Sequence, residues 1–119
     1  MNIPLKITNF FLAMQAGPHG IVRLGALFAE DAVYSEPFSG SADPHVGRQA
    51  IMQAFSASRT DAFDDAVIHL SRVTVDGSRI EVDWTCISKA IPGGQGSGTN
   101  IFEMRGDLIA SLQTTLKVE

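Results

Sequence analysis

The spacing of the apolar residues changes near Asp64, and this change limits the folds open to the chain. Before it, apolar residues recur at helical spacing; after it, they alternate with polar residues, as in strands with one buried face. The predicted helices precede Gly17, span about Gly20–Ala29 and span about Gly47–Ser58; the predicted strands are Ala32–Glu36, Val67–Val75, Arg79–Ile87, Thr99–Arg105 and Leu108–Val118. This order predicts an α+β fold, a cone-shaped α+β barrel in which three N-terminal helices pack on a curved antiparallel sheet.

The dipeptide Asp76-Gly77 predicts a two-residue hairpin loop between the first two long strands. A turn fixes the register, and the register decides which side chains share a face. His69 then lies opposite Trp84 on the inner, mostly apolar face. Asp83 alternates to the outer face, which argues against a catalytic role for its carboxylate.

A second turn, Gly106-Asp107, joins the last two strands. In its register Asn100 lies opposite Gln113, and both share the inner face with Phe102. Two neutral amides inside a cavity need partners, which a bound ligand, a water or each other could supply. The glycine-rich segment 92–98 (PGGQGSG) is predicted to be a flexible loop.

The 119 residues have the size of one domain, predicted to span 1–119, and a 45% hydrophobic content is typical of a globular chain. The net charge is −4, and Lys and Arg are spread singly. No basic stripe exists to neutralise phosphates, so we expect neither a nucleic acid nor a membrane surface as partner.

The N-terminal segment MNIPLKITNFFLAMQAG has apolar residues at helical spacing, with polar Asn9 and Gln15 between them. A secretion signal has a continuous apolar run and small residues at its cleavage site, so this segment is predicted to be a core helix. The single Cys86 forms no internal disulfide and is predicted to be buried and inert. Together these features predict a cytoplasmic protein.

The stretch from Leu27 to Phe55 carries the strongest functional candidate, because Glu36 sits directly before Pro37 where a strand meets a long loop. Alternation along the strand places Tyr34 and Glu36 on one side. A carboxylate at the rim of an apolar cavity is desolvated, which suits a general base. The alternative is a solvated glutamate at a strand end.

Three segments, LFAEDAVYSEPFSG, HVGRQAI and IFEMRGDLI, resemble the nuclear-transport-factor-2-like superfamily, and the resemblance covers nearly the whole chain. This superfamily includes ketosteroid isomerases, SnoaL-like polyketide cyclases and limonene epoxide hydrolases. The motifs are specific for the fold and say little about the reaction, because the fold hosts enzymes and binding modules alike.

The resemblance implies roles for three positions. Glu36 falls where ketosteroid isomerases place their general-base aspartate, and it points inward. Asn100 falls where they place the protonated aspartate of the oxyanion hole. Phe10 falls roughly where they place the tyrosine that donates the second hydrogen bond. Phe10 has no hydroxyl and an amide is a weaker donor than a neutral acid, so the electrostatic stabilisation of an enolate is reduced.

Tyr34 and His69 are weaker candidates. Tyr34 could donate a hydrogen bond to a ligand carbonyl, or be a core residue with its hydroxyl at the edge. His69 could move a proton near neutral pH, or be packed against Trp84. The other histidines, His19 and His45, are predicted to be solvated loop residues. No His, Cys or carboxylate set has ligand spacing on one face, so we expect no metal site.

Two functions remain open. The first is a cofactor-independent isomerase or cyclase that acts on a small hydrophobic carbonyl compound. The second is a non-catalytic domain that binds a small ligand or a partner. The pocket of either would be lined by Phe10, Phe28, Phe55, Trp84, Phe102, Met104 and Gln113, although these residues could equally form the core.

The outer face of the sheet is a candidate surface for a homodimer, which the resemblance also implies. Its predicted apolar residues are Leu70, Ile101, Leu112 and Leu116.

Overall fold

The computed structural model describes residues 3–37, 43–58 and 66–117, so Asp64, Val118 and residues 38–40 of the first quoted motif lie outside it. Two helices, two strands and a third helix come first, and four long strands follow. In chain order the elements are α1 (Leu5–Gln15), a 3₁₀ turn (Gly17–Gly20), α2 (Ile21–Ala26), β1 (Phe28–Ser35), β2 (His45–Val46), α3 (Arg48–Ser58), β3 (Val67–Asp76), β4 (Arg79–Ile87), a 3₁₀ turn (Pro92–Gly94), β5 (Gln95–Arg105) and β6 (Leu108–Leu116).

The described strands form one sheet in the order β2-β1-β6-β5-β4-β3. The sheet is curved and the N-terminal helices lie on it, so the predicted α+β architecture is confirmed. The sheet is mixed rather than antiparallel throughout, because β1 and β6 run parallel. The end of β1, which Glu36 follows, therefore lies beside β6, one of the middle strands of the sheet.

The second helix is shorter than predicted. It ends at Ala26, and β1 begins at Phe28, which the helical spacing had assigned to the helix. The backbone N–H of Leu27 closes the last helical turn on Leu24, and its carbonyl accepts from the N–H of Ile109 in β6. Because the Leu27 carbonyl accepts a hydrogen bond from β6, the helix ends here and the chain continues as strand β1.

A bulge in β3 overturns part of the predicted register. Asp76 pairs with Arg79, and the loop is Gly77-Ser78, with Gly77 at φ +60°. The register then shifts between Leu70 and Arg72, so that Leu70 pairs with Trp84 and His69 with Thr85. The predicted inward position of His69 is therefore wrong.

On the outer face, Arg72 of β3 lies opposite Asp83 of β4. Asp83 is on the outer face, as predicted, where its carboxylate accepts from the Thr99 hydroxyl at 2.7 Å and lies 3.8 Å from the Lys117 ammonium. The Asp83 side chain therefore belongs to the polar outer face and does not reach the inner face of the sheet.

A second bulge lies between β5 and β6. The turn at Gly106-Asp107 is as predicted, with Arg105 opposite Leu108. The register then shifts past Ala110, so Asn100 pairs with Thr114 instead of Gln113. Gln113 lies on the outer face and is exposed. Its predicted place in the pocket is wrong, and Thr114 takes that place.

The glycine-rich segment is partly strand rather than loop. β5 begins at Gln95, so Gly96 pairs with Cys86 and Gly98 with Trp84. Gly98 leaves room for the Trp84 indole, because a Cβ at this position would collide with it and with the Thr115 carbonyl oxygen. The glycine therefore allows a large side chain to lie across the inner face.

The core is dominated by phenylalanine. Phe10 of α1 makes edge-to-face contacts with four rings at centroid distances of 5.0–6.3 Å; the partners are Phe11, Phe28, Phe55 and Phe102. Such contacts stabilise beyond the area that they bury. The helices and the sheet are joined through this cluster.

The outer face is less apolar than predicted. Leu112 is buried and Leu70 packs against the core, so both point inward. Leu116 pairs with Gly98 and shares its inner side, which leaves Ile101 alone of the predicted set on the outer face. A homodimer through this face stays a prediction. Among the described helices none has the length and apolar character of a membrane span.

Candidate active site

Two polar side chains, Thr114 of β6 and Asn100 of β5, are paired and buried on the inner face of the sheet. The parallel ladder of β1 on β6 ends with Ser35 opposite Gln113, and Glu36 is the next residue of the chain. Continued by one residue, this register would bring Glu36 level with Thr114, and we refer to Glu36, Thr114 and Asn100 as the polar row. Neighbouring strands are about 4.8 Å apart, so β1 and β5, on the two sides of β6, lie roughly 10 Å from each other.

Asn100 is held in one orientation by two hydrogen bonds. It is buried, and its Oδ1 accepts from Trp84 Nε1 at 3.0 Å and from Thr114 Oγ1 at 2.8 Å. An indole nitrogen can only donate, so the atom facing it must be the amide oxygen. The amide nitrogen is consequently the atom that can donate to a ligand. Asn100 thus lies where the sequence placed it, and Trp84 and Thr114 fix its direction.

Glu36 is nearly buried, since only 6% of its side chain is exposed. The alternative of a solvated glutamate at a strand end is therefore wrong. Its Oε1 lies 3.7 Å from Nε2 of His45. A buried carboxylate next to an imidazole is a common arrangement for proton transfer.

His45 was missed as a site residue. It was predicted to be a solvated loop residue, but it belongs to β2 and pairs with Tyr34 of β1. Its ring lies 5.8 Å from the Tyr34 ring, and 23% of its side chain is exposed. A two-residue strand has no periodicity to detect, so the sequence carried no signal for this placement.

Tyr34 forms a wall of the site. It is buried, and its ring stacks on Phe55 of α3 at 4.7 Å with an interplanar angle of 12°. The inward position predicted from strand alternation is confirmed, with Tyr34 between the His45 ring and the phenylalanine cluster. Its contacts are those of a core aromatic residue with a polar edge.

Most of the predicted pocket-lining residues pack on one another. Phe10, Phe28, Phe55 and Phe102 are all buried, and Phe10 lies at their centre. They pack on one another between the helices and the sheet. Met104 and Trp84 are only partly buried and pack against the edge of the core. The polar row therefore borders an aromatic cluster.

A surface groove of about 330 Å³ lies at the start of α3, lined by Glu30, Val46, Gly47, Arg48, Gln49 and Ala50. Arg48 does not reach into it as a free cation, because its Nε and Nη2 both donate to the Phe28 carbonyl, at 3.1 and 2.7 Å. Arg48 is thus structural. Nowhere in the described ranges do three His, Cys, Asp or Glu side chains gather as metal ligands do.

Comparison with known structures supports the architecture. A protein from Sinorhizobium meliloti provisionally assigned as a polyketide cyclase is 25% identical, with 95% of each chain covered and a TM-score of 0.78. An NTF2-like protein from Anabaena variabilis is 16% identical, with 96% and 88% covered and a TM-score of 0.80. A Kribbella flavida protein provisionally assigned as a ketosteroid isomerase is 16% identical, with 97% and 77% covered and a TM-score of 0.76.

No curated protein sequence matches the chain. The profile of one domain family, described as the SnoaL-like domain, matches residues 7–112, which is most of the chain. The superfamily resemblance drawn from the three sequence segments is confirmed by this match and by the structural neighbours. The chain belongs to the SnoaL-like domain family.

Proposed function

We propose that the protein is a cofactor-independent enzyme that isomerises or cyclises a small hydrophobic carbonyl compound. Glu36 acts as the general base and Asn100 as the hydrogen-bond donor to the carbonyl oxygen. The observation that carries this proposal is the nearly buried Glu36 carboxylate at the end of β1, two strands away from the buried Asn100 amide of β5. A base and a donor on one inner face are the two groups that proton abstraction next to a carbonyl needs.

The reaction begins with removal of a proton from the carbon next to the carbonyl. The C–H bond breaks, the proton goes to a Glu36 oxygen, and the electron pair moves onto the carbonyl oxygen as an enolate. The Asn100 amide nitrogen donates to that oxygen, since its Oδ1 is already held by Trp84 and Thr114. A neutral amide stabilises the enolate modestly, so we expect substrates whose protons are already acidic.

Two outcomes of the enolate are open. Return of the proton to a more distant carbon moves a double bond, which is isomerisation. Attack of the carbanion on a second carbonyl closes a ring, which is cyclisation. The assignments of the Sinorhizobium meliloti and Kribbella flavida proteins fit one outcome each. Both share the first step, so the first step is the one to test.

The test is deuterium exchange next to the carbonyl in D2O, followed by NMR, with cyclohex-3-en-1-one and a β,γ-unsaturated ketosteroid as probes. Glu36→Gln keeps the shape of the side chain and removes the base, so the exchange rate is expected to fall by about 100-fold or more while probe binding persists. Glu30→Gln is the matched control, because Glu30 lies on the same strand and is exposed. Equal rates in the wild-type protein and Glu36→Gln would overturn the proposal.

The second candidate is a binding domain without catalysis. Phe10 favours this candidate. It stands roughly where the isomerases place their second donor, but it has no hydroxyl and is packed among four rings. This candidate predicts that the wild-type protein binds the two ketones without accelerating exchange. It also predicts that Glu36→Gln leaves the affinity unchanged.

A further inference from the structure

We propose that His45 is the positioning residue for Glu36: its Nε2–H donates to the carboxylate and fixes the direction from which the base meets its substrate. This inference rests on the proposed function, in which Glu36 is the base. It adds a residue to which the resemblance assigned no role, although His45 opens the segment HVGRQAI that helped to carry it. It also gives a role to a histidine that lies in a strand of only two residues.

The first argument is the state of His45 Nε2. This atom is shielded from solvent and has no hydrogen-bond partner among the described residues. Buried polar atoms are rarely left unpaired, because an unmet hydrogen bond costs free energy. The atom that lies 3.7 Å away is Oε1 of Glu36. A hydrogen bond forms at about 2.9 Å, so a movement of less than about 1 Å completes it.

The second argument is that the surroundings hold the imidazole in this direction. The backbone of His45 is paired with Tyr34 in the β1–β2 ladder, and the two rings lie 5.8 Å apart with a tilt of 34° between their planes. Tyr34 in turn stacks on Phe55 of α3. The exposed part of the His45 side chain belongs to atoms other than Nε2, since that atom itself is shielded.

The other charged groups on the neighbouring elements are exposed or have partners elsewhere in the fold. Glu30 and Asp31 of β1 are exposed, and Asp31 is bound to Arg105. Arg48 of α3 donates to the Phe28 carbonyl. Asp43, two residues before His45, is exposed, whereas only 6% of the Glu36 side chain is exposed. Glu36 is the shielded carboxylate next to the shielded His45 Nε2.

The proposed hydrogen bond would fix the orientation of the Glu36 carboxylate during the reaction. When Nε2–H holds one oxygen, rotation of the carboxylate is stopped and the lone pairs of the other oxygen keep one direction. Catalytic hydrogen bonds are often long in the unliganded protein and shorten in the complex. Correct orientation of a reacting group accounts for a large share of enzymatic rate enhancement.

The kinetic test compares three variants in the deuterium exchange of cyclohex-3-en-1-one. His45→Leu removes the donor and is expected to lower kcat by about 10-fold or more with little change in KM, since the loss lies in orientation. His45→Gln restores a donor and is expected to recover much of that loss. His19→Leu, at an exposed histidine of the 3₁₀ turn, is the control and should match the wild-type protein.

A double-mutant cycle separates this role from a structural one. His45→Leu is expected to have no further effect on exchange in the Glu36→Gln background. The inference is overturned if His45→Leu matches the wild-type rate, if His45→Gln is as slow as His45→Leu, or if the same fold-loss appears in the Glu36→Gln background. If Glu36→Gln alone leaves the exchange rate unchanged, the proposed function fails instead.

One measurement needs no turnover and no variant. In a ¹⁵N NMR spectrum of the wild-type protein, a hydrogen-bonded Nε2–H of His45 exchanges slowly with water and gives a one-bond N–H signal. The exposed His19 and His69 are internal controls, for which this proton should exchange too fast to observe. A neutral His45 that carries its proton on Nδ1 would overturn the inference.

Discussion

At the scale of single residues, Glu36 and Asn100 are held differently although they share a face. Asn100 is fixed by two donors within the sheet, Trp84 and Thr114. Glu36 follows the last residue of β1 and lies near the shielded nitrogen of His45. The proposed donor is therefore fixed within the sheet, whereas the proposed base lies next to the short strand β2.

Asp31 of β1 has a lowered pKa because it is paired with Arg105. Asp31 accepts from the Arg105 guanidinium at 2.8 Å, and this hydrogen bond and charge hold the pKa of Asp31 below its ordinary value of 3.8. The folded state therefore gains stability above pH 3.8, and the gain is lost as the pH falls through the lower pKa. Both side chains are largely exposed, so water weakens the pair and Arg105→Gln should change the unfolding free energy little at neutral pH.

The expected signature is an Asp31 carboxyl titration, followed by ¹³C NMR, with a midpoint below 3.8 in the wild-type protein. In Arg105→Gln the midpoint should return toward the ordinary value, because the long guanidinium donor and its charge are both gone. An unchanged midpoint in this variant would mean that Arg105 does not pair with Asp31 in solution.

At the scale of elements, the close approach of Trp84 to Gly98 holds the site together. An added Cβ at Gly98 would lie 2.5 Å from the Thr115 carbonyl oxygen and closer still to the indole. Gly98→Ala is expected to cost about 1–3 kcal/mol of unfolding free energy, as overpacking does in a core. Displacing Trp84 also breaks its bond to Asn100, so exchange of the ketone probe should slow.

Gly96→Ala is the matched control on the same strand and the same face. Its added Cβ would lie 3.7 Å from the nearest atom, in Ile91, which is an ordinary contact. Urea unfolding followed by the fluorescence of Trp84, the single tryptophan, measures both variants. Equal stabilities of the two variants would show that the indole does not lie over Gly98.

The strands also show how far the sequence could predict the site. Both turns carry glycine signals, but only the second gives the predicted pair, Arg105 opposite Leu108. At the first turn Asp76 pairs with Arg79, so the loop lies one residue further along, at Gly77-Ser78. A bulge has no comparable signal, and one extra residue reverses the side of every residue beyond it. The extra residue of the second bulge, Ala110, lies on β6, so Asn100 on β5 keeps its inward place whereas Gln113 points outward. Counted from its turn, His69 lies beyond the bulge of β3 and also points outward.

At the scale of the whole molecule, the fold was predictable because many weak signals agree on it. The change in the spacing of the apolar residues and the two turns all predict helices that pack on a sheet. The interior was harder to predict, because the same phenylalanines line a cavity or fill one depending on a few ångströms of helix position. In this protein Phe10 of α1 contacts Phe102 of β5, and Phe55 of α3 contacts Phe28 of β1, so these rings pack together between the helices and the sheet.

Phe10→Tyr tests this arrangement in one substitution. The superfamily resemblance places a donor hydroxyl near position 10, but the Phe10 ring is 1% exposed and is surrounded by four other rings. A hydroxyl buried there would lack a partner, which costs about 1–3 kcal/mol. We therefore expect Phe10→Tyr to lower the unfolding free energy in urea by about that amount and to leave deuterium exchange of cyclohex-3-en-1-one no faster. A variant that is as stable as the wild-type protein and exchanges the probe faster would show instead that the ring edge of residue 10 borders open space beside Asn100. In that case the cavity would extend past the polar row to α1, and the larger ketosteroid probe would be the better substrate.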